Sequence, residues 1–252
     1  MTSDSYSFEG QVVLVTGAAQ GLGKATSFAF GRCGAKVAMV DLNEPLLNET
    51  VEELRKQGVE CAGIVANIAT SGAPEAIVQK TIKVFGGLNI LVNNAGIQRK
   101  VGMPTNEPWE ETEREISINL AAPVHLSSLL VPHLRRQAGS FIVNVSSGLA
   151  FVPMSPMPIY CATKAALHSF TLSLRSQLKS QSIGVIEIIP PAVKTNLGGS
   201  HDFGEDLADF TEGVIEQLKA GAPEITFGMS AKWSQLSRAE ADSIFQQFNG
   251  GK

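Results

Sequence analysis

The chain has 252 residues, 44% apolar and 17% charged, the size and make-up of one α/β domain with a full hydrophobic core. Its net charge of −4 gives no electrostatic basis for binding nucleic acid or an anionic membrane, and no apolar run approaches the roughly 18–20 residues that a membrane span needs. A start without a basic-then-apolar signal, and three cysteines (Cys33, Cys61, Cys161) with no Cys-x-x-Cys pair, argue for a reducing, cytoplasmic setting.

Residues 1–9 are Ser-rich and read as a flexible tail. Short β-branched runs then alternate with helical patterns. Strands are predicted at Gln11–Val15, Lys36–Val40, Cys61–Ala66, Ile90–Asn93, Ser140–Val145 and Gly184–Ile189. Helices are predicted near Gly21–Cys33, Pro45–Gln57, Pro74–Phe85, Trp109–Arg136 and Ile159–Lys179. Strands separated by helices imply a doubly wound parallel sheet with helices on both faces. Past Ile189 the pattern changes and no clear seventh strand follows, so the sheet is expected to hold six or seven strands. Residues 195–230 mix Gly, Asp and short helical stretches, as a substrate lid would, and Ser237–Phe248 reads as a helix. No repeat or linker divides residues 1–252, which read as a single domain.

The first strand runs into Thr16-Gly17-Ala18-Ala19-Gln20-Gly21-Leu22-Gly23, and a helix follows. A pyrophosphate needs close backbone approach and free N–H groups at a helix N-terminus, and glycines remove the Cβ atoms that would block it. The second strand ends at Asp41, near the spacing of a ribose-binding acid, with Leu42 beside it. A carboxylate there accepts from both ribose hydroxyls and repels a 2′-phosphate. Ala18, Ala19, Gln20, Leu42 and Asn43 offer no positive charge to a 2′-phosphate. NAD is therefore favoured over NADP.

With these motifs the chain resembles the short-chain dehydrogenase/reductase family. Thr-Gly-x-x-x-Gly-x-Gly matches its shorter branch, Asn93-Asn94-Ala95-Gly96 its Asn-Asn-Ala-Gly, and Tyr160-Cys-Ala-Thr-Lys164 its Tyr-x-x-x-Lys; Ser147 lies thirteen residues before Tyr160. The resemblance covers roughly residues 8 to 197. It implies a Rossmann-like three-layer sandwich, a nicotinamide cofactor, and a Ser-Tyr-Lys site assisted by an Asn. Several stretches, among them Asn93–Arg99 and Pro190–Thr195, also resemble a branch named for D-alanine esterification of teichoic acids, a name that identifies no substrate.

Tyr160 and Lys164 are one helical turn apart and share a face. A free tyrosine titrates near ~10, and a nearby ammonium favours its phenolate. Ser147 follows the fifth strand and is placed to donate to a substrate oxygen; Ser146 is the alternative, which the thirteen-residue spacing disfavours. Asn119 lies four residues before Pro123. Proline has no N–H, so the carbonyl of residue 119 loses its helical partner; the family uses that carbonyl to hold a water linked to the lysine. The resemblance further implies cofactor contacts from Gly17, Gln20, Gly21, Leu22, Gly23, Asp41, Leu42, Asn67, Ile68, Asn94, Ala95, Gly96, Tyr160, Lys164, Pro190, Val193 and Thr195. Two positions depart from its pattern: Pro191 replaces a glycine, and Asn67 stands where many relatives carry Asp.

The expected partners are a small alcohol or carbonyl compound and further copies of the chain, as a homodimer or homotetramer, the dimer forming through the helices of Trp109–Arg136 and Ile159–Lys179. Gly148–Pro158, rich in Leu, Phe, Val, Met and Pro, is expected to wall an apolar pocket. Arg99 is a candidate for a substrate carboxylate, and Glu107–Glu115 reads as a helix start and solvated face. Histidines 125, 133, 168 and 201 have no metal spacing. The leading reading is an NAD(H)-dependent alcohol/carbonyl oxidoreductase. Its alternatives are an NADP(H)-dependent carbonyl reductase, reduction of an activated C=C bond, which Tyr-x-x-x-Lys disfavours, and a dinucleotide sensor without turnover.

Overall fold

The computed structural model describes residues 6–103, 106–199 and 202–250. In chain order the elements are β1 (Val12–Thr16), α1 (Gly21–Arg32), β2 (Lys36–Asp41), α2 (Glu44–Lys56), β3 (Cys61–Val65), α3 (Ala73–Phe85), β4 (Ile90–Asn93), α4 (Trp109–Ile116), α5 (Ala122–Leu134), β5 (Phe141–Val145), α6 (Pro158–Leu178), β6 (Gly184–Ile189), α7 (Leu207–Lys219), β7 (Glu224–Thr226), α8 (Gly228–Trp233) and α9 (Arg238–Asn249). The strands form one parallel sheet in the order β3-β2-β1-β4-β5-β6-β7. Val13 pairs with Val37 on one side and Ile90 on the other, so the strand order reverses at β1. A ligand crevice opens at the carboxyl ends of strands flanking such a reversal.

Successive strand residues face opposite layers. Val13, Val15, Met39 and Val143 pack toward Phe30, Phe210 and Leu218. Leu14, Val40, Leu91 and Ile142 pack toward Ile77, Leu126, Leu130 and Leu174 on the other side. Burial on both faces explains why β1 reads Val-Val-Leu-Val without alternation.

Three expectations change. Phe8 is only 1% exposed and stacks edge-on against Phe30 at 4.9 Å, while the Tyr6 N–H donates to Lys219 O at 2.8 Å. The tail expected over 1–9 is therefore core by residue 8; residues 1–5 lie outside those described. Within the expected lid, α7 buries Phe210, Val214 and Leu218, so its regular periodicity serves packing, and surface loop remains before it. The seventh strand exists but is three residues long, too short to show periodicity, and Glu224 pairs with Glu187 of β6. Among the described residues no helix is long and apolar enough to cross a membrane.

The helix predicted at Trp109–Arg136 is divided. Residues Ser117–Ala121 form a π-helical turn, with the Ala122 N–H donating to Ser117 O, five residues back. Pro123 cannot donate to the carbonyl of residue 119, and the chain accommodates the missing bond by widening the turn.

Candidate active site

The glycine turn leaves β1 at its carboxyl end. Gly17 has φ of +66° and Gly21 of +53°, conformations that favour glycine. A Cβ on Gly23 would sit 2.0 Å from Gly17 O and 2.5 Å from Asn94 Nδ2. The Asp41 carboxylate accepts from the Ala19 N–H at 3.0 Å and the Asn43 N–H at 2.9 Å, tying the turn to the end of β2. Gln20, Leu42 and Asn67 are exposed around it, Leu22 is half-buried and Ile68 is buried; Asn67 Oδ1 accepts from the Ala69 N–H.

Thr16, which sequence reasoning passed over, locks this turn to the end of β4. Its hydroxyl donates to Val92 O and accepts from the N–H groups of Asn94 and Ala95, both at 3.0 Å. The Asn94 amide returns to Thr16 O at 2.8 Å and Gly17 O at 3.2 Å. Deeper in the sheet, Asn93 donates to Asn144 Oδ1 at 2.8 Å and Asn144 donates to Thr171 at 2.9 Å, linking β4, β5 and α6. A strand-end threonine before a glycine turn was the available signal for Thr16.

Tyr160, Lys164, Ser147 and Asn119 are all buried at the carboxyl ends of β4 and β5. Ser147 interacts with the Tyr160 phenol in the sense that lowers its pKa, and its oxygen accepts from the Leu149 N–H at 3.1 Å. Ser146 instead donates to Ile188 O at 3.4 Å. Lys164 Nζ donates to Val145 O at 2.7 Å and lies 5.6 Å from the Tyr160 ring centroid. A Cβ on Gly96 would come within 3.6 Å of that nitrogen. The Asn119 amide accepts from the Ile97 N–H and donates to Ile97 O, both at 2.9 Å, and donates to Thr163 at 3.2 Å. Asn119 therefore clamps the loop after Gly96 to α6.

The Tyr-x-x-x-Lys spacing predicts that Lys164 lowers the Tyr160 pKa. In the folded chain burial is the largest influence and pushes the phenol above its ordinary value, with Ser147 opposing. The phenol therefore keeps its proton at neutral pH. Burial also pushes Lys164 down from 10.5 to about 8, with Glu187 opposing.

Below pH 8 the amine is charged in folded and unfolded chains alike, and the fold carries the full cost of burying it. Between pH 8 and 10.5 the folded amine has lost its proton first, so that cost fades as pH rises. A shift of this size corresponds to ~3 kcal/mol. Lys164→Met is therefore expected to melt several degrees above the wild type at pH 7, at roughly 2–4 °C per kcal/mol, with the gap closing toward pH 10.5. Thermal melts across this range check it; a lower melting point at pH 7 would contradict it.

Beyond β6, Pro190 O accepts from the Gly148 N–H at 2.9 Å, Val193 bridges to Glu205, and the Thr195 hydroxyl accepts from the Leu197 N–H at 3.3 Å. A Cβ on Gly21 would lie 3.6 Å from the Thr195 side chain, so this loop returns across the glycine turn despite Pro191. Met157, Tyr160 and Cys161 pack with Leu149 and Met154, making the wall between Ser147 and Tyr160 apolar. Cys161 is buried and its thiol is pushed up by burial. Arg99 is not a free cation: it pairs with Glu107 and faces Glu111 at 3.9 Å and Glu115 at 3.7 Å. Glu115 is fully buried, so the stretch 107–115 is not solvated throughout. His125 faces Glu75, His133 accepts from the Leu88 N–H, and His168 binds Glu187; His201 lies outside the described residues.

Residues 11–205 match the family model described as short chain dehydrogenase. The uncharacterized oxidoreductase DltE of Bacillus subtilis is 37% identical over 247 residues, 94% of this chain and 96% of that protein. Among solved structures, the 3-ketoacyl-(acyl-carrier-protein) reductase of Brucella melitensis, complexed with NADH, is similar with a TM-score of 0.80 and 27% identity, covering 87% of this chain and 97% of that one. The L-sorbose reductase of Gluconobacter frateurii, complexed with NADPH and L-sorbose, gives a TM-score of 0.72 and 30% identity over 77% of this chain and 73% of that one.

Proposed function

The chain belongs to the short-chain dehydrogenase family, and on that premise we propose that it interconverts an alcohol and a ketone or aldehyde with NAD(H), Tyr160 giving and taking the proton. The observation that carries this reading is the buried trio at the end of the crevice: Ser147, the Tyr160 phenol, and the Lys164 amine 5.6 Å from its ring centroid, one turn away. The residues present fit a nicotinamide dinucleotide. Gly17 and Gly23 let the turn close tightly on Ala95, Asn94 and its own backbone at the N-terminus of α1, the kind of site where phosphates bind, and Asp41 stands at the end of β2. Bound there, such a cofactor supplies or removes the hydride.

The chain's own residues handle the proton and the substrate oxygen. Ser147 donates to that oxygen and steadies charge developing on it. In reduction the Tyr160 O–H donates its proton to the same oxygen; in oxidation the phenolate takes it back. Lys164 and Ser147 favour that phenolate, and Asn119 holds the backbone beside them. Reduction starts from the protonated phenol already present. Backbone at Val193 and the Thr195 hydroxyl would hold the nicotinamide amide, and Asn94, Ala95 and Gly96 would line the ribose side.

Asp41 supports NAD over NADP. Its two oxygens would accept from ribose hydroxyls through charge-assisted bonds, each contributing about 1.5–3 kcal/mol. Asp41→Ala is expected to weaken NADH binding about 10–100-fold and NADPH binding far less, measured by nucleotide fluorescence. Equal losses for both would contradict a 2′-hydroxyl contact. Exposed Trp109, Ile116 and Leu172 on α4 and α6 support pairing of two copies through these helices. The proposal is tested by following NADH and NADPH consumption with a panel of ketones and aldehydes. Turnover with NADH, faster than with NADPH, is expected; binding without consumption of either would favour a sensor.

A further inference from the structure

β6 reads Gly-Val-Ile-Glu-Ile-Ile, and its Glu187 is 0% exposed in the middle of a strand whose other interior positions are apolar. A carboxylate there costs desolvation that a hydrophobic residue would avoid, so the fold alone does not require it. Both its oxygens lie against His168 Nδ1, at 2.9 and 3.1 Å. Tyr160, Lys164 and His168 follow one another at four-residue intervals on α6 and share a face. The β5–β6 register pairs Val145 with Ile188 and Asn144 with Glu187. Because Lys164 Nζ is bonded to Val145 O, Glu187 stands one register step behind the lysine's anchor.

We propose that Glu187 and His168 are a positioning pair: the carboxylate keeps the Lys164 amine charged, and its bond to the imidazole seats the catalytic face of α6 on β6. The proposal deepens the reading above and rests on it only for what the amine does. The other charges near the pair are Arg175 on α6 and Glu224 on β7. Arg175 is engaged elsewhere, with Glu224 at 3.2 Å, Pro223 O at 2.7 Å and Val185 O at 2.8 Å. Glu187 is thus left to His168 and Lys164. The Phe151 ring packs edge-on to His168 at 4.7 Å, so the loop between Ser147 and Tyr160 rests on the same imidazole.

The two titrations are coupled. The Glu187 bond raises the His168 pKa above 6.5. As His168 then loses its proton, the carboxylate's charge is no longer neutralised. Its field then acts on Lys164 in the range where burial has brought that amine down to about 8.

The test is an NMR titration of the Lys164 side-chain Cε–H signal in the free protein, assigned with Lys164→Arg, and of NADH affinity against pH. Glu187→Gln keeps the shape and a hydrogen bond to neutral imidazole. It is expected to lower the lysine midpoint by about one unit or more, a tenfold change in ionisation, and to move the alkaline loss of NADH affinity down equally. His168→Gln retains the carboxylate and is expected to leave the midpoint unchanged or raised. Should Glu187→Gln fail to fold, Glu187→Asp keeps the charge one methylene further away, and a smaller downward shift is expected. An unshifted lysine in either Glu187 variant overturns the proposal. A shifted lysine in a protein that ignores NADH upholds the pair and overturns the dinucleotide reading instead.

Discussion

Tyr160→Phe is expected to reduce turnover about 10²–10⁴-fold, the usual contribution of a positioned acid/base, while NADH affinity stays within about threefold. The phenol oxygen is the only part removed. The ring remains packed against Met157 and Cys161, and Lys164 keeps its bond to Val145 O. Fold and cofactor contacts therefore persist while the proton donor is lost. Steady-state kinetics with fluorescence binding separates the two effects. Turnover within about threefold of the wild type would show that another group carries the proton.

The second large effect is expected at Gly23. A Cβ there would meet Gly17 O at 2.0 Å and Gly17 C at 2.8 Å, and these are backbone atoms that no rotamer change moves. The turn has to shift, and with it the Asn94 bonds to Thr16 O and Gly17 O. Gly23→Ala is expected to weaken dinucleotide binding at least ~100-fold, as two charge-assisted phosphate bonds of about 1.5–3 kcal/mol each are lost. Overpacking of this kind costs about 1–3 kcal/mol, so the melting point falls by roughly 2–4 °C per kcal/mol. Unchanged affinity would mean that this turn is not the phosphate cradle.

Much of this site was legible in sequence because its features are local. The glycine turn is one contiguous segment, Tyr160 and Lys164 are one turn apart, and Pro123 announced an irregular helix at Asn119, where the π-helical turn lies. What escaped depends on contacts between distant residues. His168 and Glu187 are 19 residues apart, and only the packing of α6 on β6 makes them partners. Glu115 looked solvated because four other acids surround it in sequence, yet the chain buries it beneath Arg99. Phe8 looked like tail because a Ser-rich stretch with only two aromatics carries too little pattern, and it became core by reaching Phe30. The direction of the Tyr160 shift was misjudged for a related reason. Spacing reveals the ammonium, but only the fold reveals the burial that pushes the phenol up.

The most direct test supplies NADH deuterated at nicotinamide C4, on the transferable side, to the wild-type protein with a reactive ketone from the panel, and reads the product by NMR. Deuterium on the carbinol carbon, at a rate that collapses in Tyr160→Phe, is the predicted result. Alcohol formed without the label, or a protein that neither binds nor oxidises NADH, would contradict it.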